Sequence, residues 1–127
     1  MFNIDKALDW RYIYIMKDLS KRGEYKIGIT SSPYHRTKQV DETVRGRVVT
    51  VVAYRRFFAQ SIEKKMHRVF ARRRFTKHGS GRTEWFKLNI LQYFFARLVL
   101  WYLCNVWYIV VFVCIAIFFS VYLYQQI

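Results

Sequence analysis

Residues Leu98–Tyr124 form an unbroken run without a single charged side chain, in which only Asn105 and Ser120 are clearly polar. At about 1.5 Å per residue the run extends roughly 40 Å as a helix, more than the roughly 30 Å hydrocarbon core of a bilayer. One tilted transmembrane helix accounts for it, with a helix buried in a protein core as the alternative. Trp101, Tyr102, Trp107 and Tyr108 stand toward one end, and Tyr122 and Tyr124 toward the other, where interfacial aromatic belts belong. The run also divides the chain chemically, because every charged residue lies at or before Arg97. The formal charge of +14, from 22 basic and 8 acidic residues, is therefore concentrated ahead of it and suits a polyanion, either nucleic acid or an anionic membrane surface.

The same asymmetry predicts topology. Arg82, Lys87 and Arg97 precede the span and only Gln125, Gln126 and Ile127 follow it, so the positive-inside bias keeps the N-terminal part cytoplasmic and the tail on the far side. The opening MFNIDKALDW carries two acidic residues and no apolar core, unlike a cleavable signal peptide. Both cysteines, Cys104 and Cys114, fall inside the span and offer neither a thiolate metal cluster nor a disulfide framework. Asn105 within the span can bond to a second copy, a weak self-association worth about 1 kcal/mol.

Ahead of the span the pattern alternates between strand and helix. Trp10–Met16 reads as a first strand, Asp18–Glu24 with Gly23 as its turn, and Tyr25–Thr30 as a second strand closing a hairpin. Ser32 followed by Pro33 marks a helix start, with Arg36 one turn in. Valine-rich Arg47–Tyr54 is a third strand. Ala59–Arg73 places Ile62, Met66, Val69 and Phe70 on one helical face, with Glu63 and His67 together on its flank. Thr76–Arg82 is a loop, Glu84–Leu88 is extended, and Asn89 opens a helix that runs toward the membrane, Asn89–Arg97 being the one linker candidate. The expectation is an α/β domain over residues 10–90, with a small three-stranded, mostly antiparallel sheet and flanking helices, followed by a transmembrane helix over residues 98–124.

Two runs carry a family resemblance: YIYI at Tyr12–Ile15 and KIGITSSPYHR at Lys26–Arg36. Together they resemble the two-part signature of the GIY-YIG nuclease superfamily, with Tyr14 as the first-motif tyrosine, Gly28 the second-motif glycine, Thr30 the threonine and Arg36 the arginine. Lys26 stands where the second tyrosine is usual, which is similar to the phage T-five-type DNA-binding or Mug-type branch. An E-x-x-x-H element and an E-W-F run follow in that branch, matched here by Glu63 with His67 and by Glu84, Trp85 and Phe86.

The resemblance implies phosphodiester hydrolysis with Mg2+ or another divalent ion. Glu63, the sole acidic residue between Thr43 and Thr83, matches the glutamate that binds the metal. Tyr14 matches the tyrosine that orients or deprotonates the attacking water; with an ordinary phenol pKa of about 10 it needs cationic neighbours, and Lys26 on the adjacent strand is the candidate. Arg36 suits a bidentate grip on the scissile phosphate, and His67 a proton relay. Other readings stand beside these: Tyr14 as a packed strand aromatic, Glu63 and His67 as an i, i+4 surface pair, Thr30 as a local cap, and Glu84 with Trp85 and Phe86 as closing the core. Gly28 marks a bulge or a close backbone approach. Val40 occupies a position where many members carry histidine or tyrosine, and Glu84 lies in a region where many carry asparagine. Arg72, Arg73 and Arg74, flanked by Arg68, Lys77 and Arg82, can engage phosphates of DNA or of anionic lipid. The reading is a membrane-anchored DNA endonuclease, with a catalytically inactive DNA-binding or membrane-tethering module of the same fold as the alternative.

Overall fold

A computed structural model describes residues 8–43, 47–77 and 84–127. Among these residues are five strands and three α-helices: β1 (Arg11–Asp18), β2 (Glu24–Thr30), α1 (Pro33–Thr43), β3 (Val48–Arg56), α2 (Ala59–Val69), β4 (Arg74–Phe75), β5 (Trp85–Lys87) and α3 (Ile90–Gln126). The strands make one antiparallel sheet in the order β3-β1-β2-β5-β4. The three expected strands are its long members. The sheet is nevertheless five-stranded, because Arg74–Phe75 and Trp85–Lys87 pair at its edge. Segments of two and three residues carry no alternation that a sequence pattern can register.

Strand β1 is central, so side chains on both of its faces are out of water, which is why YIYI lacks polar alternation. On one face Ile13, Ile15, Tyr25, Ile27 and Phe86 pack under Ile62 and Met66 of α2. On the other, Tyr14, Met16 and Trp85 pack with Val40 of α1 and with Val48. Val40 is thus a core residue. Between β1 and β2 the chain reverses at Gly23, whose φ of 81° is in the left-handed region, and its carbonyl accepts from Leu88 N at 2.8 Å. A side chain there would also crowd the Leu88 carbonyl, since a Cβ would lie 3.0 Å from its oxygen.

Helix α3 begins with a reciprocal capping box between Asn89 and Gln92 and then continues without a break. The stretch read as a linker is therefore the helix's first two turns. Ala96, Leu100 and Cys104 are fully buried in the main core, so the domain does not end near residue 90. Arg56 fastens the helix further along, donating from Nε to the Cys104 carbonyl and from Nη2 to Asn105 Oδ1, each at 2.9 Å. Asn105 Nδ2 in turn donates to the Trp101 carbonyl at 2.9 Å, so both ends of its amide have a partner within the chain. The Tyr108 hydroxyl accepts from Phe57 N at 2.8 Å, and beyond it every residue from Ile109 onward is exposed.

The uncharged run is consequently divided. One face of its first part is a core helix, and the remainder is an unpartnered apolar helix; α3 is long and apolar enough to cross a membrane. Leu100→Ala should destabilise the folded domain by about 2–5 kcal/mol, whereas exposed Leu98→Ala should change stability by about 0.5 kcal/mol or less. Denaturant midpoints of the full chain in detergent check this contrast.

Candidate functional site

The site lies where β5 stops. Pairing between β2 and β5 covers only Glu24 to Lys26 of β2, so among the described residues the edge from Ile27 to Thr30 has no strand partner. Side chains from both faces of the sheet converge on this notch. On β1, Tyr14 pairs with Gly28 of β2, and the phenol crosses over the glycine: a Cβ at Gly28 would lie 2.6 Å from Tyr14 Oη and 3.1 Å from Glu84 Oε2. Gly28 is therefore the close-approach glycine that brings a phenol and a carboxylate together.

Lys26, two residues back and so on the same face, is fully buried, and its ammonium donates to Glu84 Oε2. Burial lowers the Lys26 pKa, and the Glu84 carboxylate acts against that. The cation bonded to Tyr14 is Arg36, whose Nε donates to Tyr14 Oη at 3.4 Å and whose Nη1 donates to Gln39 Oε1 at 2.8 Å. Tyr14 has no solvent exposure, and burial raises its pKa to about 12, against the opposing pull of the Arg36 guanidinium. The phenol is therefore protonated at neutral pH. It can orient a nucleophile by hydrogen bonding but does not arrive as a ready base.

Helix α2 supplies the other wall. Glu63 sits beside His67, with Oε1 at 3.6 Å from Nε2. Burial first, and then the charge of Glu84, raise the Glu63 pKa. Two carboxylates from distant parts of the sequence thus share one electrostatic environment. His67 Nε2 lies 2.8 Å from the Ile27 carbonyl and Nδ1 lies 3.0 Å from Arg74 Nη2. Because a guanidinium only donates, Nδ1 is the acceptor and Nε2 carries the proton. With both ring nitrogens engaged, His67 is a clamp that ties α2 to the open edge of β2. Burial lowers its pKa, with the nearby Arg74 acting in the same direction.

The expected phosphate-binding residues separate into two groups. Arg68, Arg72 and Arg73 are exposed. Arg74, though exposed, also stacks over the Phe86 ring at 5.7 Å and holds His67. Lys77 does not belong with them: its ammonium donates to Asp18 at 2.7 Å and to Glu24 at 3.1 Å, and lies 4.8 Å over the Trp85 ring. It neutralises Asp18, where burial would raise the pKa but the bonds from Lys77 and Ser20 bring it below the usual value. Arg82 lies outside the described residues. Thr30 Oγ1 accepts from Ser32 N at 3.2 Å and so caps the turn into α1.

Glu84 is the site residue that sequence reasoning assigned to the core. Its neighbours Trp85 and Phe86 are fully buried there, but Glu84 precedes the strand and turns into the notch. A signal was available, since a lysine in the middle of an apolar strand needs a carboxylate partner. The donor set of the notch consists of the Glu63 and Glu84 carboxylates and the Tyr14 phenol, all hard oxygens suited to a magnesium-sized cation that keeps most of its water. The raised proton affinity of Glu63 comes first from burial and then from the neighbouring charge of Glu84. Among the described residues no group of three or more His, Cys, Asp or Glu side chains is placed to hold a metal ion.

A family model for the T5orf172 domain matches residues 11–99. No curated protein and no solved structure matches the chain.

The asymmetry of the buried pair is measurable. Glu84→Ala removes the carboxylate from a fully buried ammonium and should cost about 3–5 kcal/mol, whereas Lys26→Met leaves a carboxylate at 31% exposure that water can reach, and should cost less than half as much. Urea unfolding of both variants decides it. Because the pKa of His67 is lower in the folded state than in the unfolded chain, its protonation favours unfolding. Stability should be complete at about pH 7 and fall as pH drops through the range below about 6.5, and His67→Gln should flatten that part of the unfolding profile.

Proposed function

The chain belongs to the T5orf172 domain family, and from that membership and the notch geometry we propose that it is a magnesium-dependent DNA endonuclease of the GIY-YIG type, anchored to a membrane by α3. The observation that carries this reading is the convergence of Tyr14, Lys26, Arg36, Glu63 and Glu84 on one open sheet edge, from positions spread across the domain.

In this reading a phosphodiester lies across the notch, with its charge drawn in by exposed Arg68, Arg72 and Arg73. Arg36 grips the scissile phosphate and, through Nε, holds the phenol of Tyr14 in position. Tyr14 orients the attacking water with a protonated hydroxyl. Lys26 fixes Glu84, and Glu84 keeps the charge around Glu63 negative. Glu63 would hold the magnesium ion, and a bound ion would supply charge neutralisation at the phosphate and at the leaving oxygen. The positive-inside bias places this domain on the cytoplasmic side.

A second reading is favoured by a specific observation. Val40 is core, both nitrogens of His67 are engaged, and burial pushes the pKa of Tyr14 up to about 12, so none of these three positions supplies a ready general base. A domain that binds DNA and has lost cleavage fits that inventory. The full chain in detergent or in vesicles should nick supercoiled plasmid with magnesium and stop on chelation. Glu63→Gln should slow nicking by about a hundredfold and Tyr14→Phe by about ten- to a hundredfold. Equal nicking by Glu63→Gln removes the metal assignment, and salt-sensitive DNA binding without nicking under any divalent ion establishes the second reading.

A further inference from the structure

Where the β3–α2 turn meets α3, the domain and the helix enclose a groove of about 370 Å³, within the size range of sites that bury small apolar ligands. Phe57, Phe58 and Ile62 line it from the domain, and Tyr102, Val106 and Trp107 line it from the helix. We propose that this groove binds one acyl chain of an anionic phospholipid, with Lys65 at its rim meeting the headgroup phosphate. The proposal rests on the reading of α3 as membrane-spanning and adds to it a specific lipid site.

Four observations point to that occupant. The groove reaches Val110 and so opens directly onto the fully exposed apolar surface that begins at Ile109. Whatever solvates that surface also has access to the groove, and around a membrane helix that solvent is hydrocarbon. Phe58 stands in the left-handed region at φ 56° with its ring 48% exposed. A bulky residue rarely takes this conformation, at a cost of about 1–3 kcal/mol, and such strain clusters at ligand-holding segments. Its amide is held there by the Leu8 carbonyl at 2.9 Å, so the surrounding structure imposes the pose.

The vertical position is also set. Arg56 is bonded to α3 at Cys104 and Asn105, which puts a guanidinium beside the groove and marks that level as the boundary between headgroups and hydrocarbon. Trp107 and Tyr108 flank it, as interfacial aromatics do. Finally, the lining contains a lysine and no acidic residue, so the charge at its mouth complements a phosphate. Lys65 is exposed on α2, one residue beyond Lys64, which belongs to the wall that faces the notch. A lipid held here would fix the domain's height and tilt at the bilayer and with it the direction in which the notch faces.

The test uses the full chain reconstituted into vesicles of phosphatidylcholine and phosphatidylglycerol, extracted in mild detergent and weighed by native mass spectrometry. The expected result is one phosphatidylglycerol retained per chain, with retention reduced about tenfold in Lys65→Glu. Ser61→Trp, at an exposed position on the groove wall, should block retention by filling the space without disturbing the core. Three outcomes overturn the proposal. Equal retention by all three proteins, or none by any while each still sediments with vesicles, rejects the groove and leaves the anchor intact. A dimer that protects Phe58 and Trp107 from labelling assigns the groove to a second copy. Failure of the chain to sediment with vesicles at all rejects the membrane reading beneath it.

Discussion

A buried ammonium organises this domain. Lys26 lies in the middle of β2 with no contact with water, and a charge in that position is tolerable only with a carboxylate against it. Glu84 provides that carboxylate from the residue just ahead of β5, so satisfying the charge also fixes where that strand begins. Stopping there leaves the far half of β2 open, and the Ile27 carbonyl, deprived of a strand partner, takes its hydrogen bond from His67 of α2. One electrostatic requirement thus closes the sheet edge and opens the notch. A second cation, Lys77, makes two ion pairs, with Asp18 and with Glu24, and joins β1 and β2 by the same logic.

The proton inventory of the notch follows from burial. Desolvation pushes Tyr14 and Glu63 up and Lys26 and His67 down, in each case toward the neutral form. Such a site is poised for added positive charge near Glu63 and for an anion near Arg36. Binding either would change the proton affinities of the others. The protein's surface charge acts at longer range, drawing a polyanion toward a notch whose own groups are close to neutral balance.

Helix α3 combines two solvents in one element. Its first turns bury Ala96, Leu100 and Cys104 against the sheet's α2 face, and its last turns contact nothing in the domain. No Gly or Pro breaks the helix at the change, so the domain is rigidly coupled to whatever holds the free half. A flexible tether would let the notch sample all directions. This continuous helix does not.

Much of this was legible in the residues. Trp10–Met16 and Tyr25–Thr30 read as paired strands because they are rich in aromatic and branched side chains, and the spacing of Ile62 and Met66 read as a helix because 3.6-residue periodicity is local. Gly28 read as a close approach for the same reason: the absence of a side chain is visible without knowing what comes near. The role of Arg36 beside Tyr14, and of Glu84 on Lys26, was decided only by tertiary structure, because contacts between residues 22 and 58 positions apart depend on register and on where an edge strand stops. The uncharged run read as a single span because hydropathy averages over all faces of a helix. Which face of its first half is buried is a property of the surface it meets, and that surface, with Arg56 reaching across to Cys104, exists only once the sheet has folded.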